Sequence, residues 1–155
     1  ALAVCLLECR EFTKEDFARY HPGGALGKRL YLRVGDVAVQ HDAPQVKPTE
    51  SLKNTILEIT SKRLGATAVV NEAGEIVGVV TDGDLRRMLE KGLSIEGLTA
   101  KDIMGHSPKT IEADTLAVEA LSMMQAHSIT QLLVVQQKKY SGIIHLHDLI
   151  REGIV

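Results

Sequence analysis

Apolar residues recur along this chain at two spacings that alternate in a fixed order. From Ser51 to Lys62, the residues Leu52, Ile56 and Ile59 fall on one stripe of a 3.6-residue period, which predicts a helix. Two β-rich runs follow, Ala66 to Val70 and Ile76 to Thr81, on either side of the turn-forming Asn71-Glu72-Ala73-Gly74. A second helix is predicted from Asp82 to near Gly92. The same succession then returns. Thr115 to His127 carries Leu116, Ala120, Met123 and Met124 on one helical stripe, and strands are predicted over Thr130 to Val135 and Gly142 to Leu146, about a turn at Gln137 to Ser141. A last helix runs from about His147 to Gly153. Short extended pieces at Val46 and at Thr110–Ile111 precede the two longer helices, so the order is β-α-β-β-α, twice.

The repetition extends to residue identities. Laid at a constant offset of 64 residues, Pro44 falls on Pro108, Leu52 on Leu116, Leu57 on Leu121, Val70 on Val134, Gly78 on Gly142, Asp84 on Asp148 and Leu85 on Leu149. Upstream, Asp36-Val37 resembles Asp102-Ile103, with the offset slipping by two. One such unit would leave a bare face on its sheet, whereas two packed sheet to sheet bury both faces. The expected class is therefore α+β. The divisions are a leading helical segment over 1–33, units at 34–92 and 99–155, and a linker at 93–98. Thr99, three residues before Asp102, is a candidate cap for a short helix opening the second unit.

Composition narrows the function classes. With 45% apolar and 25% charged residues the chain has material for an ordinary core, and its net charge of −2 lacks the basic excess of a nucleic-acid-binding face. No apolar run approaches the roughly 20 residues that span a bilayer. Cys5 and Cys9 lie four apart within an apolar stretch and read as buried helix residues. A cytoplasmic location is expected.

The candidate chemistry sits where a strand hands over to a helix. Thr81 and Asp82 arrive at a helix N-terminus, where unpartnered N–H groups and the helix dipole attract a phosphate or carboxylate. Asp84, an acceptor-only carboxylate, suits the two hydroxyls of a ribose. The same residues are equally suited to capping the helix. In the second unit Asp148 repeats the acid, while His145 stands in the hydroxyl position with His147 beyond it. These two imidazoles and Asp148 lack an evident further metal ligand, so they are expected to shape a ligand pocket. Arg63 is the candidate for holding additional negative charge.

A β-α-β-β-α unit ending in Gly78-Val79-Val80-Thr81-Asp82-Gly83-Asp84, and again in Gly142-Ile143-Ile144-His145-Leu146-His147-Asp148, resembles the CBS motif. The resemblance covers about Val34 to Gly153 and implies a pair of CBS motifs that senses a small ligand. Upstream, Glu11 to Tyr20 reads as a helix capped by Thr13, and Pro22 as the start of another. Phe17-Ala18-Arg19-Tyr20-His21-Pro22-Gly23-Gly24-Ala25-Leu26-Gly27-Lys28 is similar to the end of the sugar isomerase domain of bacterial arabinose-5-phosphate isomerases, in which two CBS motifs follow. Thr81 to Arg87 and His145 to Leu149 are also similar to that family, His145 included.

That resemblance implies interconversion of ribulose 5-phosphate and arabinose 5-phosphate at the entry to Kdo and lipopolysaccharide synthesis. His21 would be one catalytic residue, with its partners further upstream. The chain by itself is then expected to be inactive. No cofactor is implied. The expected partners are the upstream isomerase domain, a nucleotide effector such as CMP-Kdo, and further copies in a homodimer or higher oligomer. The alternative is a structural dimerisation module that binds nothing.

Overall fold

A computed structural model describes residues 13, 16, 19–20, 23–38 and 42–154. His21, Pro22, Cys5 and Cys9 lie outside the described residues. At the start of the predicted leading helix, Thr13 and Asp16 form a reciprocal cap, with the Thr13 N–H and hydroxyl donating to Asp16 Oδ2 at 2.9 and 2.8 Å. The helix predicted from Pro22 begins instead at Ala25, as α1 (Ala25–Tyr31), with extended Gly24 at its N-cap.

Six helices and two sheets follow. The first unit comprises α2 (Val34–Ala38), β1 (Gln45–Val46), α3 (Leu52–Lys62), β2 (Ala66–Val70), β3 (Ile76–Thr81) and α4 (Asp82–Glu90). The second comprises α5 (Ala100–Ile103), β4 (Thr110–Glu112), α6 (Ala117–His127), β5 (Gln131–Gln136), β6 (Lys139–His145) and α7 (Leu146–Arg151). Each sheet has its long-loop partner parallel and its hairpin partner antiparallel, in the orders β1-β2-β3 and β4-β5-β6.

Local chemistry sets the boundaries. The Ser51 hydroxyl accepts the Asn54 N–H at 3.2 Å to start α3, and Arg63 ends it in the left-handed region at φ 57° while donating its N–H to Ile59 O at 3.1 Å. Ser128 closes α6 in the same conformation. The second hairpin turns tighter than its sequence suggests. Gln137 and Lys138 both take positive φ, so β6 starts at Lys139 rather than Gly142.

This difference corrects the constant 64-residue offset. Val69 lies opposite Gly78 and Val134 opposite Gly142, so Val70 corresponds to Val135, not to Val134. Likewise the N-cap residues Ser51 and Leu116 are equivalent, one residue off the sequence superposition. The shorter second turn absorbs the missing residue, and Gly78/Gly142, Asp84/Asp148 and Leu85/Leu149 remain matched. Hairpin length, invisible to identity matching, caused the slip.

Strand alternation divides the core into layers. Ala66, Ala68 and Val70 pack against Leu133 and Ile143 of the other unit, so the two sheets meet face to face. The opposite faces meet helices. Val46, Val69 and Val80 pack with Ile59 of α3 in the first unit, and Val134 and Ile144 with Met124 of α6 and Leu149 of α7 in the second.

The short helices are exchanged. α2, which precedes the first unit, buries Val34, Val37 and Ala38 in the second unit's core. α5, which precedes the second, buries Ala100 in the first with Ile103 and Met104 beside it. Backbone bonds repeat the exchange: Ala117 N–H donates to Leu32 O at 2.8 Å, and Leu52 N–H to Leu98 O at 2.9 Å. Gly78 permits this crossing, because a Cβ there would lie 2.5 Å from Met104 Sδ and 2.9 Å from Gly105 O. Thr99 and Asp102 form the expected cap on α5, yet the helix they cap completes the other unit.

Candidate functional site

Both strand-to-helix junctions are built as caps. At the first, Asp84 Oδ2 accepts the Thr81 N–H at 2.8 Å and the Thr81 hydroxyl at 2.6 Å. Thr81 Oγ1 accepts the Asp84 N–H at 3.3 Å, and Arg87 donates to Asp84 Oδ1. At the second, Asp148 Oδ2 accepts the His145 N–H at 3.0 Å, and His145 Nδ1 accepts the His147 N–H at 3.1 Å. With Nδ1 an acceptor, the ring carries its proton on Nε2. His145 therefore serves α7 through a ring nitrogen much as Thr81 serves α4 through oxygen. The His145 and His147 rings stack with centroids 5.0 Å apart, and Asp148 is only 2% exposed.

The predicted residues do not all converge. Arg63, His145, His147 and Asp148 line one cleft of about 360 Å³, together with Lys62, Leu64 and Arg151. The end of α3 supplies one wall and α7 the other, so the cleft exists only when the units pack. Its groups are mainly cationic or imidazole. Lys62 is held at 2.9 Å by Asp42, a hydrogen bond that pushes the lysine's pKa up and the aspartate's down, so both stay charged across the neutral range.

Thr81 belongs elsewhere. It borders a cleft of about 220 Å³ between the sheets, with apolar walls from Ala66, Val79, Ile129 and Leu133 and polar groups from Ser107, Lys109 and Gln131. Gln131 Nε2 donates to Leu64 O at 3.0 Å across the unit boundary. Asp82 flanks this region, since a Cβ on Gly65 would lie 3.3 Å from Asp82 Oδ2 and 3.1 Å from Gln131 Nε2. Asp84 faces a third recess, of about 150 Å³, with Arg87, Lys91 and Asp102.

Sequence reasoning missed Arg151, Lys109 and Gln131. Arg151 stands four residues after His147 on α7, a helical spacing that could have exposed it. Gln131 is a polar residue directly before the apolar run Leu132–Val135, an available signal too. Lys109 is brought to the cleft by packing alone.

A larger groove, of about 580 Å³, lies at the hairpin end of the first sheet. Glu50, Glu58 and Glu72 line it, and its Lys47 is paired with Glu72 at 2.7 Å, so it is poorly suited to a phosphate. Among the described residues no three His, Cys, Asp or Glu side chains cluster as metal ligands, and no helix is long and apolar enough to cross a membrane.

The sequence family described as "CBS domain" matches residues 34–91 and 100–154. The chain is 46% identical over 156 residues to arabinose 5-phosphate isomerase KdsD of Escherichia coli (strain K12), covering 100% of this chain and 48% of that protein. It is also 46% identical, over 157 residues, to the enzyme of the same name from Pseudomonas aeruginosa, with the same coverage. The chain thus spans about half the length of the curated relatives it matches. Among solved structures, a CBS domain protein of Pyrobaculum aerophilum complexed with AMP superposes with a TM-score of 0.68 at 21% identity, covering 76% of this chain and 90% of that one. At that identity the likeness bears on the fold alone.

Proposed function

This chain belongs to the CBS domain family, and from that membership we propose that it is the nucleotide-sensing regulatory pair of an arabinose-5-phosphate isomerase. The observation that carries the reading is the cleft at the unit boundary, where Arg63, His147 and Arg151 offer donors to a phosphate or carboxylate beside the Asp148 carboxylate. The parent enzyme would interconvert ribulose 5-phosphate and arabinose 5-phosphate in the cytoplasm, with His21 among its catalytic residues. CMP-Kdo, the activated end product of that route, is the economical feedback signal. Its ribose diol suits Asp84 or Asp148, its phosphate a helix N-terminus, and its sugar carboxylate an imidazole or guanidinium. The AMP held by the Pyrobaculum protein supports a nucleotide in general. Self-association into a homodimer or higher oligomer belongs to the same reading, with a two-fold pair the default.

Calorimetry with CMP-Kdo, CMP, AMP and ATP tests this. Binding of a cytidine compound is expected, with stabilisation of about 2.7 kcal/mol at a hundred times its dissociation constant. AMP or ATP binding tighter than every cytidine compound overturns the pathway argument and leaves the sensor. One observation favours a second reading, a structural module without ligand: Asp84 and Asp148 already serve as caps, which is sufficient local cause for their spacing. Absence of binding by all four nucleotides at millimolar concentration would establish that account instead.

A further inference from the structure

The segment leading into the pair is attached to one unit, although it precedes the other in sequence. Arg33 Nη1 donates to Asp114 O at 2.6 Å, Val34 N–H to Thr115 O at 2.8 Å, and Leu32 packs on the second core. The most distant of these links is Lys28 Nζ to Glu152 Oε2 at 2.7 Å. The two side chains are 31% and 20% exposed, so the pair is partly shielded from water and salt. Glu152 is the C-cap residue of α7, and its N–H donates to Asp148 O at 2.9 Å. One six-residue helix, about 9 Å long, therefore carries the cleft residues His147 and Asp148 on its first turn and the partner of Lys28 at its end.

From this arrangement we infer that the second unit alone holds the leading segment, and that the Lys28–Glu152 ion pair is the latch through which the state of the His147/Asp148 cleft reaches the chain upstream. The coupling half of this inference rests on the ligand-sensing reading above; the latch half does not. A ligand drawing on Asp148 or Arg151 shifts or tightens α7, a short rod docked at both ends, and Lys28 follows Glu152. Lys28 is a positioning residue in this scheme, seven residues after His21 in the chain. The cleft bordered by Thr81 has no comparable link to the leader among the described hydrogen bonds.

Amide hydrogen exchange on the full chain tests both halves. The informative amides are Lys28, bonded to Gly24 O, and Leu32, bonded to Lys28 O, with Leu52 in the first unit as the control. Without nucleotide, Glu152→Gln should speed exchange at Lys28 and Leu32 roughly two- to fivefold, the scale of one partly shielded ion pair, and leave Leu52 unchanged. Exchanging the charges, Lys28→Glu with Glu152→Lys, should restore protection. Unchanged exchange in Glu152→Gln overturns the latch. With AMP or CMP bound, as verified by calorimetry, exchange at Lys28 and Leu32 should change in the natural sequence and not in Glu152→Gln. Bound nucleotide with unaltered leader exchange overturns the coupling. If neither nucleotide binds, the sensing reading fails and the coupling with it, while the nucleotide-free comparison still decides the latch.

Discussion

Asp84 and Asp148 each have two physical uses, and their geometry separates them. Asp84 Oδ2 is occupied by Thr81 and Oδ1 by Arg87, but an ionised carboxylate offers about four acceptor directions, which leaves room for a ribose hydroxyl. Asp84→Ala is therefore expected to lower stability by about 1 kcal/mol through loss of the cap. It should separately weaken nucleotide binding by about 1.5–3 kcal/mol, the scale of a hydrogen bond to a charged group. Urea denaturation reads the first effect and calorimetry the second, and a binding loss no larger than the stability loss would assign Asp84 to capping alone. Thr67 is a simpler case. It is fully buried on β2, and its hydroxyl has no hydrogen-bond partner. Thr67→Val keeps the shape and removes the unsatisfied oxygen, so it should raise stability by about 1 kcal/mol, seen as a higher urea midpoint at unchanged slope.

At the scale of elements, caps decide where helices start, and protonation can undo them. The Asp102 carboxyl is held below its ordinary value of 3.8, chiefly by the Thr99 hydroxyl and then by the Thr99 N–H. A lowered folded-state pKa means the stabilisation is complete above the unfolded value and is lost as pH falls through the folded one. The acid limb of the stability curve, below about pH 4, should thus flatten in Asp102→Asn, with little change between pH 5 and 7. Chemical denaturation at pH 3 and pH 6 checks it. Because α5 docks in the first core, this exposed cap at the head of the second unit acts on the packing of Val46, Ile59 and Val69.

At the scale of the molecule, the exchanged helices make the two units one folding entity. A fragment over 34–92, which a repeat boundary would suggest, lacks Ala100, Ile103 and Met104 and exposes the Ala66, Ala68 and Val70 face. It is expected to give an unfolded amide spectrum, whereas 23–155 folds cooperatively. A folded 34–92 would show that the exchange is dispensable. Tyr140 ties the units at another point, its hydroxyl donating to Pro44 O at 2.8 Å, and burial pushes the phenol's pKa well above its usual value. Tyr140→Phe should cost about 1 kcal/mol. In the natural protein this contribution is complete below about pH 10 and falls in stronger alkali, because the unfolded-state phenol ionises there while the buried one keeps its proton, a loss that urea midpoints at pH 7 and pH 11 would detect.

How much of this was legible beforehand follows from the range of each force. Element order, the duplication and the α+β class follow from apolar periodicity, because each amphipathic stripe needs a partner whatever that partner is. The Thr13, Thr99 and Thr81 caps were readable because capping acts within three residues. The second hairpin was expected at Gln137 to Ser141, but its two-residue length was not readable, since the tight turn depends on Gln137 and Lys138 accepting positive φ. Tertiary packing alone decided that α2 and α5 trade places, that Arg63 meets His145, His147 and Arg151 while Thr81 opens on a different cleft, and that Lys28 pairs with Glu152. The Arg63 and Lys28 pairings join residues 82 to 124 positions apart, and nothing in local propensity distinguishes one distant partner from another until the two sheets have closed on each other.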